Sequence, residues 1–220
     1  MGAERVSVVI AVRDQAAYIG EALESVLAQD VRPLDVVVVD DGSRDGSAEV
    51  AAGFPEVRVF RQAPAGAGPA RDRGVREATG TLIAFQDADD RMPAGSLSVR
   101  LSKLAAEPGL ELVYGLIREF SDGSVPVRPP AAAPIPGAIL IRRAAFERSG
   151  GFGAGFAGAD AVEWYSRVLD AGVRSAAVDA VVCERRVHAG QAARANPQDA
   201  YLKAVRAALE RRRRPPGALP

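Results

Sequence analysis

Short apolar runs alternate with segments of helical periodicity from the start of the chain. Val6-Ser-Val-Val-Ile-Ala-Val12 is β-branched and almost wholly apolar, the pattern of a strand buried on both faces. Ile19, Leu23, Val26 and Leu27 then recur at helical spacing and predict one buried helix face, with Asp14 as the capping residue. Val36 to Val39 is a second buried strand, followed by a turn at Asp40-Asp41-Gly42-Ser43 and a short helix from Gly46 to Ala52. Val57 to Phe60 is a third strand, Gly66 to Ala78 a helix, and Thr81 to Phe85 a fourth strand that runs into Gln86-Asp-Ala-Asp-Asp90. Strands alternating with helices imply an α/β fold with a parallel sheet covered on both faces.

The second half is less regular. Pro93 to Ala106 reads as a helix, Leu110 to Phe120 as a strand, and Pro126 to Pro136 as a loop. Ala138 to Ile141 is a short strand, Ala144 to Arg148 a short helix, and Gly150 to Gly158 a glycine-rich, mobile segment. Ala161 to Ala171 reads as a helix, Val181 to Val187 as a final strand, and 198–213 as a C-terminal helix. The expected organisation is one domain over 1–214, with a first half at 5–92, a second at 93–190, and a tail at 215–220.

Composition narrows the function. Apolar residues make up 48% of 220, enough for a sizeable core. Lys+Arg and Asp+Glu are both 28, so no net charge draws the chain to nucleic acid. The single cysteine, Cys183, excludes an internal disulfide framework and a cysteine-cluster metal site, and points to a reducing, cytoplasmic compartment. No apolar run is long enough to span a bilayer. The basic run Arg211 to Arg214 permits contact with an anionic membrane surface, although a solvated tail serves equally.

In a parallel sheet, ligands bind beyond the carboxyl ends of the strands. Arg13, Asp14, Asp40, Asp41, Asp87, Asp89 and Asp90 all fall at or just past such ends and are expected on one rim. Asp87 and Asp89, at i and i+2 on extended backbone, point to the same side and suit Mg²⁺ or Mn²⁺; a solvated turn is the plain alternative. Asp40-Asp41-Gly42-Ser43 offers a carboxylate to a base N–H or a ribose hydroxyl, or is simply a strand-to-helix turn. The turn after the first strand, Arg13-Asp-Gln-Ala-Ala17, has no glycine, which excludes a dinucleotide fingerprint. No Gly-x-x-x-x-Gly-Lys-Ser/Thr phosphate loop is present either.

Several motifs in one order resemble a glycosyltransferase of family 2. They are Val6 to Asp14, Leu23 to Gln29, Val37 to Ser47, Gly68-Pro-Ala-Arg-Asp-Arg-Gly74, Phe85 to Asp90, and Gly150-Gly-Phe152. The resemblance implies a GT-A fold, a Rossmann-like three-layer sandwich with a mostly parallel central sheet. It also implies an inverting, metal-dependent transfer of sugar from a nucleotide-sugar donor, usually a UDP-sugar. On this reading Ala11, Arg13 and Asp41 hold the base, and Arg71 lies near the diphosphate. Asp87 and Asp89 form the Asp-x-Asp motif with Mn²⁺ or Mg²⁺, Asp90 shares that task, and His188 approaches the metal. The base that accepts the acceptor proton is Asp160, or Glu163 one turn further on; Asp160 also reads as a helix N-cap. Trp164 stacks an acceptor ring or belongs to the core.

Asp14 stands where asparagine is usual, Arg13 where tyrosine is common, and Gln86 where leucine is frequent; these are expected to tune donor choice. The acceptor is a small molecule, peptide or saccharide, and the chain is free to form a homodimer. The competing readings are a polyprenyl-phosphate glycosyltransferase of the same fold, a nucleotide-sugar-binding module that has lost catalysis, and a nucleotidyltransferase. The last lacks its glycine-rich loop after the first strand.

Overall fold

The structure is a computed structural model and describes residues 4–121, 123, 125–156, 158–187, 202 and 205–211. Its first half alternates β1 (Val6–Val12), α1 (Ile19–Leu27), β2 (Asp35–Asp40), α2 (Ser47–Ala52), β3 (Val57–Arg61), α3 (Ala67–Glu77) and β4 (Leu82–Asp87). The second half adds α4 (Ser96–Ala106), β5 (Leu112–Phe120), β6 (Ala131–Ala132), β7 (Ile139–Arg142), α5 (Arg143–Arg148), α6 (Asp160–Asp170) and β8 (Ser175–Arg186). The sheet runs β3-β2-β1-β4-β7-β5-β6, with β8 also on β5. β1 to β4 are mutually parallel where they pair, as are β5 and β8, whereas β7 is antiparallel to both β4 and β5.

The apolar runs are continuous because both sheet faces are covered. Successive residues of β1 point to opposite faces. Val8, Ile10 and Val12 join Leu23 and Val26 of α1 and Leu97 and Leu104 of α4. Val9 joins Val37, Phe85, Val75 of α3 and Trp164 of α6. Each such side chain, fully buried, stabilises the fold by about 1.5–3 kcal/mol relative to exposure.

Glycine lets α3 sit directly on β1. A Cβ at Gly74 would overlap Val9 Cγ1. Gly74→Ala is therefore expected to destabilise the protein by about 2 kcal/mol, because overpacking outweighs the roughly 1 kcal/mol that alanine gains as a helix former. Urea unfolding checks this; unchanged stability would mean that α3 can lift off the sheet.

Three expectations change. Asp14 does not cap α1, which begins at Ile19 after an N-cap at Tyr18 without a side-chain bond. Asp14 instead adopts φ +52°, and its Oδ1 accepts from Arg44 N at 2.9 Å, tying the first turn to the turn after β2. The last strand starts at Ser175, because register shifts near Leu116 let β8 follow β5 along its length. Its early residues are mostly small alanines, which hide the alternation. The Pro126 to Pro136 loop contains the short strand β6 and leads into a 3-10 turn at Pro136–Ala138. The tail at 215–220 lies outside the described residues, as does most of the C-terminal segment; 202 and 205–211 are helical. Among the described residues no helix is long and apolar enough to cross a membrane.

Candidate active site

Parallel register brings the strand ends together. Ala11 of β1 lies between Val39 of β2 and Asp87 of β4, and Val12 pairs with Asp40. A pocket of about 340 Å³ opens on this rim, lined by Ala11, Val12, Arg13, Asp14, Asp41, Gly66 and Ala67. The structure thus gathers the three residues expected to hold a base: Ala11, Arg13 and Asp41.

Asp41 is nearly buried, and its carboxylate organises the loop before α3. Oδ1 accepts from Gln62 Nε2 at 2.9 Å and Ala65 N at 2.8 Å, and Oδ2 accepts from Gly66 N at 2.8 Å. Arg13 Nη1 lies 3.8 Å from the same Oδ2, with half of its side chain exposed to the pocket. The turn needs Gly42: its φ is +77°, and a Cβ there would meet Pro64 Cγ at 2.6 Å. Asp40 faces away from the pocket, accepting from Ser43 N at 2.9 Å and pairing with Arg61 Nε at 2.8 Å.

Arg71 of α3 joins two further expected residues. Its Nη2 donates to Asp87 Oδ1 at 2.7 Å and its Nη1 to Asp160 Oδ2 at 2.8 Å. Burial works against the guanidinium charge, but the two carboxylates outweigh it and hold Arg71 more firmly protonated than usual. The next residue, Asp72, accepts from Phe152 N at 2.7 Å and Gly153 N at 2.9 Å, fixing the start of the glycine-rich segment. A smaller cavity of about 110 Å³ lies between the start of α3, the glycine-rich segment and Asp160; it shares Gly66 and Ala67 with the larger pocket. Asp160 therefore lines a cavity that borders the Asp41 pocket at Gly66 and Ala67.

Three assignments are corrected. Asp90 does not join the rim: it is 2% exposed, and its Oδ1 accepts from Arg186 N at 2.9 Å. Burial, then the charges of Asp87 and Asp89, push its carboxyl well above the usual carboxylate range, and its bond to Arg186 N ties the turn after β4 to the end of β8. Trp164 is fully buried, its ring centroid 4.7 Å from that of Phe152 in a tilted pair, and it donates to Ser149 Oγ at 3.0 Å, so no acceptor ring can reach it. Glu163 is turned from the cavity into ion pairs at 2.8 Å with Arg167 and Arg211, which removes it as a base. His188 lies outside the described residues.

The chain turns directly after Asp87, with Asp90 N donating to Asp87 O at 3.1 Å, so a turn and not extended backbone relates Asp87 to Asp89. Among the described residues no three His, Cys, Asp or Glu side chains form a metal-binding group. Two carboxylates nevertheless fit Mg²⁺ or Mn²⁺, hard cations that keep several waters and take substrate phosphate oxygens. Asp87 retains 30% side-chain exposure at the strand end.

The motif order and this rim agree with the comparison that decides the family: the description "Glycosyl transferase family 2" matches residues 7–160. The chain belongs to glycosyl transferase family 2. Among relatives of this family 2 chain, the uncharacterized glycosyltransferase EpsJ of Bacillus subtilis is 31% identical over 129 residues, covering 56% of this chain and 37% of EpsJ. The uncharacterized glycosyltransferase YibD of Escherichia coli is 38% identical over 92 residues, covering 40% of this chain and 27% of YibD. The family 2 chain thus matches about a third of these relatives' length.

Its fold is GT-A. The crystal structure of S. aureus TarS 1-349 in complex with UDP-GlcNAc superposes with a TM-score of 0.76 at 19% identity, over 93% of this chain and 65% of that one. The mannosyltransferase PcManGT of Pyrobaculum calidifontis, in complex with GDP-Man and Mn²⁺, gives 0.72 at 25% identity, over 92% and 64%.

Sequence reasoning missed Asp72 and Gln62. Asp72 lies inside the Gly68–Gly74 motif, but its partners are 80 or more residues away, and nothing local signals them.

Proposed function

We propose that this family 2 chain transfers a sugar, with inversion, from a nucleotide-sugar donor to an acceptor hydroxyl. The observation that carries the reading is that the Asp41 pocket borders the cavity lined by Asp160, with Asp160 tied to Asp87 through Arg71. The base of a UDP-sugar sits against Ala11 and Arg13, with Asp41 and Arg13 offering acceptor and donor groups. Asp87 and Asp89 would hold Mn²⁺ or Mg²⁺, which would supply positive charge to offset that growing on the diphosphate leaving group. Asp160 takes the proton as the acceptor oxygen bonds to the anomeric carbon. The bond to the diphosphate oxygen breaks on the opposite side, and the nucleoside diphosphate leaves with that electron pair. The TarS complex with UDP-GlcNAc and the PcManGT complex with GDP-Man and Mn²⁺ support a nucleotide-sugar donor, and the latter also a divalent cation.

A thermal-shift and calorimetry panel of UDP, GDP, CDP and dTDP, with and without Mn²⁺, tests the donor site. UDP with Mn²⁺ is expected to raise Tm by about 5 °C or more at a hundred times Kd. Asp89→Ala is expected to abolish the shift. Stabilisation by GDP alone would reassign the base, and no stabilisation by any diphosphate would overturn the nucleotide-sugar donor site.

A further inference from the structure

We propose that Arg71 is a positioning residue for the base, and that its function is the tie between Asp87 and Asp160 rather than a bond to donor phosphate. The assignment rests on the reading of Asp160 as the base.

The guanidinium presents its donors in a rigid planar fork. Here the two terminal nitrogens are committed to different carboxylates, at 2.7 Å to Asp87 and 2.8 Å to Asp160. The side chain is only 10% exposed, so little of it faces a ligand. Its guanidinium lies 5.4 Å from the centre of the Phe152 ring, and Phe152 is itself fixed by Asp72. Consecutive residues of α3 therefore hold the two ends of the segment that leads into α6. The helix is pressed against that segment: a Cβ on Gly68 would stand 2.6 Å from Gly153 O and 3.7 Å from Asp160 Cβ. This packing leaves Arg71 anchored where it can set the Asp160 carboxylate relative to the β4 end.

The two roles predict different behaviour for a lysine. An ammonium is a good point-charge partner for phosphate, but its donors all sit on one nitrogen and cannot reproduce the planar fork by which Nη1 and Nη2 hold two separate carboxylates. Arg71→Lys is expected to bind UDP with Mn²⁺ within about threefold of wild-type affinity and to lose about a hundredfold in kcat for sugar transfer or donor hydrolysis, with donor KM little changed. Calorimetry and steady-state rates read the two quantities separately, and Tm reports folding. If the lysine variant does not fold, Arg71→Met keeps the apolar stem on Phe152, and the same loss of kcat is expected.

A tenfold or larger loss of UDP affinity at unchanged kcat would overturn the assignment and make Arg71 a phosphate ligand. Full retention of both would also overturn it. Asp160→Asn separates this idea from the reading beneath it. An active Asp160→Asn brings down both, whereas an inactive Asp160→Asn beside a fully active Arg71→Lys brings down only the positioning role.

Discussion

Asp160→Asn is expected to lower kcat for sugar transfer by about 10² to 10⁴-fold, the range spanned by a positioned general base. Nucleoside-diphosphate binding is expected to survive, because the Asp41 pocket is lined by residues of β1, the turn after β2 and the start of α3, not by Asp160. The amide oxygen of asparagine can still accept from Arg71 Nη1, so the start of α6 keeps its anchor to α3. Glu163→Gln is the informative companion. Its carboxylate is paired with Arg167 and Arg211, so the substitution is expected to lower Tm and leave kcat within a few-fold. Rates measured at saturating donor, with Tm for each variant, separate the two carboxylates. A reversed pattern, with Glu163→Gln inactive and Asp160→Asn active, would require the glycine-rich segment and α6 to rearrange before chemistry.

Trp164→Ala is expected to cost about 3–5 kcal/mol of stability, the range for emptying a buried aromatic site. For a domain of this size that corresponds to a fall in Tm of about 10 °C. The ring touches Phe146 and Phe152, at centroid distances of 5.7 and 4.7 Å, and its indole N–H satisfies buried Ser149. Removing it leaves a cavity in the cluster that supports Phe152, over whose ring the Arg71 guanidinium lies, and takes from Ser149 Oγ the bond it accepts, leaving the one it donates to Phe146 O. The expected signature is a stability loss with catalytic effects following from it. A variant with unchanged Tm and a raised acceptor KM would instead place the indole at the acceptor, against its complete burial.

Much of the donor half was legible because local signals and global fold coincide there. In β1, β2 and β4 both faces are buried, so the apolar runs are unbroken and their ends are sharp. The acidic residues that follow them must then lie on one edge, since parallel pairing aligns the carboxyl ends. Arg13 and Asp41 were placed on the rim this way, the resemblance added Ala11, and the three line one pocket. Asp14 misled because an aspartate before a helix has several partners open to it, and only the approach of Arg44 selects among them.

The acidic run shows where local reading ends. Asp87, Ala88, Asp89 and Asp90 look alike as a sequence, yet Asp87 faces Arg71 while Asp90 is drawn inward by the backbone of β8. The distinction depends on a strand almost a hundred residues later. Arg100 teaches the same lesson. A charged residue in a helix reads as solvent-facing, but this one is fully buried and donates to Ile139 O at 2.8 Å; burial pushes its guanidinium down to about 10.

By itself, then, the chain determined an α/β fold, the strand ends that form the rim, and the family to which the motifs belong. Those features follow from periodicity and turn chemistry, which act over a few residues. Tertiary structure alone decided which carboxylate faces the cavity, which is paired away and which aromatic ring is core. Those outcomes turn on charges and packing partners supplied by other elements, some of them 80 or more residues away, as Arg71 is from Asp160 and Asp72 from Phe152. Such contacts leave no periodic trace in the sequence, because only the folded chain brings their two sides within bonding distance.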